Sequence, residues 1–358
     1  MPELSGQRRR DRQVLRHLRQ NTELIRRAPE FARDVDGGTY LQSFLVAAVV
    51  SILTTRLYLQ LTGFPRLGGG LLHIAHLLWG GLFMLVGLVL LLAVLGKRAK
   101  YVGAVIGGLG FGLFIDELGK FITADNDYFF QPTVALIYVT FVVLFLTFRA
   151  IENRSLSHAE ELANSADLVR EIVLGGARRV EVSRALQLLD ASGLQGPFAD
   201  DLRAAIKSAV CLPEDRPSRT SRLAAQAWNA YDKLLAWAWF QRCVILVFIG
   251  QAILGLATIV TLATLRLDGR AAEASLASSL TSLISIALVA VGVAGLRASR
   301  LHAYRWFERS VLVSIFLTQV IVFWHNQFAA LGGLIWNLAL LAVLRFLIRQ
   351  EQARHLAF

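Results

Sequence analysis

Apolar positions in this chain come in long unbroken runs, not in the alternation of a half-buried strand or the one-sided stripe of a surface helix. Eight stretches are nearly free of charge: residues 40–61, 71–95, 101–123, 132–148, 237–265, 276–296, 307–324 and 328–348. A helix needs roughly 20 apolar residues to cross about 30 Å of hydrocarbon. Lipid satisfies no backbone polar group, so only helices and closed barrels can span it. The runs predict an all-α, polytopic membrane protein with about eight transmembrane helices. The weakest is 307–324, whose first turn carries Glu308 and Arg309, and 132–148 is short.

The polar remainder has its own order. A basic segment, 1–38, precedes the first run. The first four runs make a transmembrane half over 39–150. A polar insert of 151–234 follows, then a second four-helix half over 235–350 and a tail of 351–358. Within the insert, Ser155-Leu156-Ser157 opens a helix that Gly175-Gly176 stops. A second helix runs from about Val180 to Leu189, and Pro197 opens a third that the Pro213 region ends. A fourth from about Arg219 continues into the fifth apolar run. The pair Glu160-Glu161 reads as a solvated face.

Composition sharpens the class. With 55% hydrophobic and only 18% charged residues, the chain departs from the soluble norm of about 45–50% and 25%. Two cysteines make no disulfide framework. Disordered chains and conventional soluble α/β enzymes are excluded on the same grounds. The net charge of +11 invites a nucleic-acid reading, but the placement of the charge argues against one. The insert is close to neutral, and no finger or RNA-binding motif accompanies the basic residues. The excess sits beside the apolar runs: the arginines of 1–38, then Lys97, Arg98 and Lys100, then Arg297, Arg300 and Arg305, then Arg345, Arg349 and Arg354. That bias places both termini in the cytoplasm of a multi-pass protein of the cell inner (plasma) membrane. Membrane lipids are the expected partners, with anionic headgroups at the basic cytoplasmic face. The insert is a candidate surface for a protein partner.

Charge inside a span is costly and marks a partner or a function. Away from the span ends, the only acidic residues are Asp116 and Glu117, near the outer end of the third run. Lys120 follows at i+4 and i+3, within reach of either along one helix face. Asp125 and Asp127 lie just beyond. The second run begins at the same side with His73 and His76, three apart on one face. Arg56 stands at the same level in the first run. Glycines suggest close approach: Gly108, Gly112 and Asp116 share one stripe of the third helix, while Gly80 and Gly87 continue the histidine face of the second.

Three functions compete for this cluster. The first is a metal-assisted, hydrolase-like enzyme at the periplasmic or outer-leaflet face. His73, His76, Glu117, Asp125 and Asp127 would be metal ligands, and Asp116, Glu117 and Lys120 the catalytic acid–base groups. The cofactor would be a divalent metal such as zinc or iron, and the substrate a lipid or small molecule. The second is a proton- or cation-coupled transporter using Asp116 and Glu117. The third is a structural or accessory role, in which the cluster only specifies helix packing.

Overall fold

A computed structural model of the chain describes residues 31–62, 76–123, 130, 132–175, 179–208, 238–267, 275–296 and 299–356. The protein is all-helical, with no strand among the described residues. Six helices are long and apolar enough to cross a membrane, which identifies a membrane protein. The chain divides into two compact units, residues 1–117 with 143–216, and residues 118–142 with 217–358.

The first unit begins with α1 (Gly37–Thr62), α2 (His76–Ala93) and α3 (Lys97–Asp116). Helix α2 shows what surrounds it. Only Gly80 and Gly87 are buried, and leucines on its other faces stand exposed. A helix apolar all round belongs in lipid. The turn from α2 to α3 passes through Gly96 at φ 106°, a backbone region that favours glycine.

After α3 the expected continuous helix to residue 123 is broken. Glu117 sits at φ −87°, ψ 10° and a separate short helix, α4 (Leu118–Ile122), follows. The cause is local. In an unbroken helix the Asp116 carbonyl would accept from the amide four residues on; here Arg56 Nη2 donates to it at 3.1 Å. Next comes α5 (Thr133–Asn153), whose last ten or so residues belong to the first unit.

The insert contributes α6 (His158–Gly175), α7 (Arg179–Ala191) and α8 (Pro197–Lys207). They close a small core of Leu168, Ala185, Leu189, Leu194, Ala199 and Ile206. The third of these runs to Lys207 with Ser208 as its cap; the Pro213 region and the fourth expected helix lie outside the described residues, as does the segment 1–30.

Glu160 overturns the solvated-face reading of Glu160-Glu161, being 1% exposed. It accepts from the Ser157 amide at 2.9 Å and hydroxyl at 3.0 Å, while its own amide donates back to that hydroxyl. This is the reciprocal capping box of a Ser-x-x-Glu helix start. Glu160 also accepts from the Arg33 amide at 2.8 Å and pairs with Arg154. One turn on, the Asn164 side chain accepts from the Val35 amide and donates to the Arg33 carbonyl, both at 2.8 Å. The extended segment 32–36 is thus gripped by its main chain. Asp36 then pairs with Lys97 at 2.8 Å and Arg184 at 2.7 Å, and Asp34 with Lys100 at 2.6 Å. Ion pairs therefore hold the insert against the ends of α1 and α3.

The second unit holds α9 (Ala238–Leu267), α10 (Ser275–Gly295), α11 (Arg300–Val313), a π-helical stretch Ser314–Thr318, α12 (Gln319–Asn326) and α13 (Leu331–Leu356). The apolar stretch Arg300–Gln352 counts as one run of 53 residues, yet it folds back on itself. Gln327 has φ 46°, and Glu308 meets Arg345, 37 residues on, at 3.1 Å. In a straight helix those residues would be about 55 Å apart. Phe248, Tyr304, Phe307, Leu344 and Leu347 form the centre of this unit's core, with Phe248 and Phe307 stacked at 4.8 Å.

Candidate functional site

The cluster is built by α3 meeting two helices on two different faces. Its Gly108–Gly112–Asp116 stripe lies on α1, not on α2 as the glycine spacing suggested. A β-carbon added at Gly108 would stand 2.3 Å from the Phe44 carbonyl oxygen, and one at Gly112 2.4 Å from that of Ala48. The two stripes advance together in parallel: Phe44, Ala48, Ile52 and Arg56 against Gly108, Gly112 and Asp116. Ser51 adds a hydrogen bond from its hydroxyl to the Leu109 carbonyl at 2.9 Å.

The antiparallel α2 uses the remaining glycines of α3. A β-carbon at Gly80 would be 2.7 Å from the Gly110 carbonyl oxygen, and one at Gly87 2.8 Å from that of Gly103. Such backbone-to-backbone contact is the packing mode that small residues permit in lipid. One turn before Gly80, His76 is thereby carried to the end of α3.

Four side chains converge there. Arg56 Nε lies 2.6 Å from Asp116 Oδ1. His76 Nε2 is 3.2 Å from Asp116 Oδ2, and His76 Nδ1 is 3.0 Å from Glu117 Oε1. The Leu77 amide donates to that same Glu117 oxygen at 3.4 Å. The Asp116 side chain is wholly buried and that of Glu117 is 4% exposed, whereas His76 retains 21% and Arg56 14%. His76 is the most exposed of the four.

Protons can be counted from this arrangement. A contact between an imidazole nitrogen and a carboxylate oxygen at hydrogen-bond distance needs a proton between them. Neutral imidazole carries one N–H, and His76 makes two such contacts. If both contacts are hydrogen bonds, the set takes one proton more than neutral imidazole with two carboxylates supplies.

Of the residues expected from sequence, His76, Asp116 and Glu117 are brought together. Lys120 lies on α4, after the break at Glu117; Arg56 and His76 hold the Asp116 carboxylate. His73, Asp125 and Asp127 fall outside the described residues. Among those described, no group of three or more His, Cys, Asp or Glu side chains is arranged to hold a metal ion. In this geometry both nitrogens of His76 face carboxylates. Arg56 is the addition, and its signal was present: it is the basic residue that continues the four-residue spacing of Phe44, Ala48 and Ile52.

No protein-family model matches the chain, and neither a curated protein nor a solved structure matches it. What the cluster does has to be argued from its chemistry.

Proposed function

We propose that this chain crosses the cell inner membrane eight times with both termini cytoplasmic, and that His76, Glu117, Asp116 and Arg56 form an acid–base site at the outward end of α1–α3. The eight crossings take residues 300–326 and α13 as separate spans and add the shorter apolar helix Leu280–Gly295. The site reading rests on one observation: both ring nitrogens of His76 lie within hydrogen-bond distance of carboxylates.

The roles follow from the contacts. Arg56 holds the Asp116 carboxylate in place, and Asp116 orients the imidazole. His76 and Glu117 share a proton across 3.0 Å. When Glu117 swings away on its helix break, a general acid and a general base stand side by side. A lipid or small molecule reaching the outer leaflet would be the substrate, and a hydrolytic reaction suits the pair. Below the cluster, α1, α2 and α3 are closed by glycine–backbone contacts, which favours chemistry at one face over passage along these three helices. The transport reading with Asp116 and Glu117 is weakened accordingly.

A metal-assisted form of the same enzyme is supported by the closeness of His76 and Glu117, two of its five expected ligands. His76 and Glu117 would hold zinc or iron together with His73, Asp125 and Asp127, and the metal would supply Lewis-acid activation of water.

The test is to locate the extra proton in protein reconstituted into nanodiscs at neutral pH. Nitrogen-15 NMR of histidine and infrared spectroscopy of carboxyl groups are read together. An imidazolium or a protonated carboxyl is expected, and Glu117→Gln should change the signal. A neutral imidazole beside two fully ionised carboxylates would sink the acid–base site. Metal analysis of the same samples, beside His76→Ala, decides between the proton and metal forms.

A further inference from the structure

The insert's second hairpin end has apolar side chains that its own core does not take up. Leu174, in the last turn of α6, is 54% exposed, and Val180, at the start of α7, is 74% exposed. Neither belongs to the core that closes around Leu189 and Ile206. Isolated exposed leucines are ordinary on a soluble surface; the place of these two is not.

The end of α6 sits on the turn between α2 and α3. Glu171 Oε1 accepts from the Lys97 amide at 3.0 Å. A β-carbon at Gly96 would lie 3.7 Å from Leu174 Cδ1. At its other end α6 is bonded to Arg33, next to the last turn of α5. Helix α6 therefore lies across the ends of the spans instead of projecting away from them. The turn it reaches is where two apolar helices leave the lipid, marked by Leu92 at 78% and Leu95 at 67% exposure. Leu174 lies beside that turn, and Val180 is exposed at the start of the helix that follows α6.

Charge points the same way. Lys97 and Lys100 are committed to Asp36 and Asp34. Arg98 and Arg179 are exposed and have no ion-pair partner among the described residues. Exposed guanidinium groups together with exposed apolar side chains match an anionic lipid surface, which supplies phosphate for the first and acyl chain for the second.

We propose that the tip of the α6–α7 hairpin is a lipid-contacting foot. Leu174 and Val180 enter the acyl boundary of the leaflet from which α2 and α3 emerge, and Arg98 and Arg179 bind anionic headgroups. The foot rests on the membrane-spanning reading of α2 and α3 and is independent of the acid–base cluster.

The experiment uses the full chain, with its two cysteines replaced by serine, in nanodiscs of phosphatidylcholine with and without phosphatidylglycerol. Spin labels are placed through Leu174→Cys and Val180→Cys. Val86→Cys in the middle of α2 is the lipid reference, and Asp200→Cys on α8 the water reference. Collision with oxygen and with a water-soluble nickel chelate is measured. Labels at 174 and 180 should show a nickel-to-oxygen ratio several-fold below that at 200 and close to that at 86. Arg98→Gln combined with Arg179→Gln should raise the ratio at 180 in anionic discs and leave it unchanged in neutral ones. Water-like labels at 174 and 180, with 86 still lipid-like, would overturn the foot alone. A water-like label at 86 would overturn the spanning reading beneath it. Labels at 174 and 180 shielded from both reagents would mean protein covers the tip, which also overturns the proposal.

Discussion

Helices α1–α3 and the α11–α13 hairpin are both apolar, yet they are held together by opposite means. In the first group backbones touch: Gly108 and Gly112 admit carbonyl oxygens of α1, and Gly80 and Gly110 meet across α2 and α3. In the second, side chains interdigitate around Phe248, Phe307 and Leu344. Where that unit places a glycine at a contact, Gly292 admits the Phe307 ring, and Gly250 and Gly332 face open space. The polar contacts at the centre of each group differ as well. The first encloses Arg56, Asp116 and Glu117; the second joins neutral groups, such as Tyr138 to the Ile315 carbonyl at 2.6 Å and Gln319 to the Ala330 carbonyl at 2.8 Å, and its buried acid, Glu351, lies near the end of α13. Ionic geometry tolerates little slack, because a displaced partner leaves a bare charge in a low-dielectric setting. Contact between backbones leaves no rotamer to relax, so it suits a frame that must keep charges in place.

That contrast is broken most severely at Gly108. Its Ala variant would put a carbon 2.3 Å from a carbonyl oxygen that belongs to the main chain and has nowhere to go. A loss above about 4 kcal/mol is expected, at the far end of single-residue effects. Gly81→Ala in α2 and Gly250→Ala in α9 meet nothing within 4 Å. Each should be neutral or stabilising by up to about 1 kcal/mol through better helix propensity. Unfolding titrations in mixed micelles supply the comparison. Equal stability of Gly108→Ala and Gly81→Ala would show that α1 and α3 are not in backbone contact.

The second effect in size concerns the ions. Asp116→Asn leaves Arg56 buried opposite a neutral amide and should cost about 3–5 kcal/mol. Combining it with Arg56→Met removes both charges and should recover much of the loss, giving a coupling of about 0.5–3 kcal/mol. In the other unit Arg345 and Glu308 form the same chemical pair at 3.1 Å, with the arginine side chain 49% exposed. Glu308→Gln should cost no more than about 1 kcal/mol. A double-mutant cycle at each pair measures the difference. Comparable couplings at the two pairs would remove the distinction between an ionic frame and a neutral one.

These two groups also differ in how far the sequence discloses them. Hydropathy located every described apolar helix, because a run of uncharged residues has only one use in lipid. The meeting of His76 with Asp116 and Glu117 followed from the alternating direction of successive spans. Which glycine stripe faced which neighbour did not follow, since Gly103, Gly107, Gly108, Gly110 and Gly112 cover more than one face of α3 and periodicity names no partner. The break at Glu117 was hidden for a related reason. It depends on Arg56 taking the Asp116 carbonyl, a contact between residues 60 positions apart. Glu160 was legible and misread: the Ser157-x-x-Glu160 spacing announces a capping box, and a capping acid faces its own helix start instead of solvent.

The smallest effect is expected where the first unit's charges leave the apolar zone. Burial pushes the Glu160 carboxyl up, but the amides of Ser157 and Arg33, the Ser157 hydroxyl and the Arg154 cation outweigh it and hold the acid below its ordinary range. Burial likewise raises Asp36, and Lys97 with Arg184 more than reverses it. Acids held lower in the folded state add stability that is complete above the ordinary carboxylate range, about pH 4. That stability is lost as pH falls through the depressed values. The grip on segment 32–36 should therefore be intact at neutral pH and loosen in acid. Amide exchange at Arg33 and Val35, corrected for its intrinsic pH dependence, should accelerate below about pH 4, while the Gln319 amide in the neutral interior serves as reference. Glu160→Gln should cost roughly 1–3 kcal/mol of local protection and flatten part of the acid response, leaving the share due to Asp36. Protection at Arg33 that does not change with acid, or that changes equally at Gln319, would mean the segment is held by shape and not by these carboxylates.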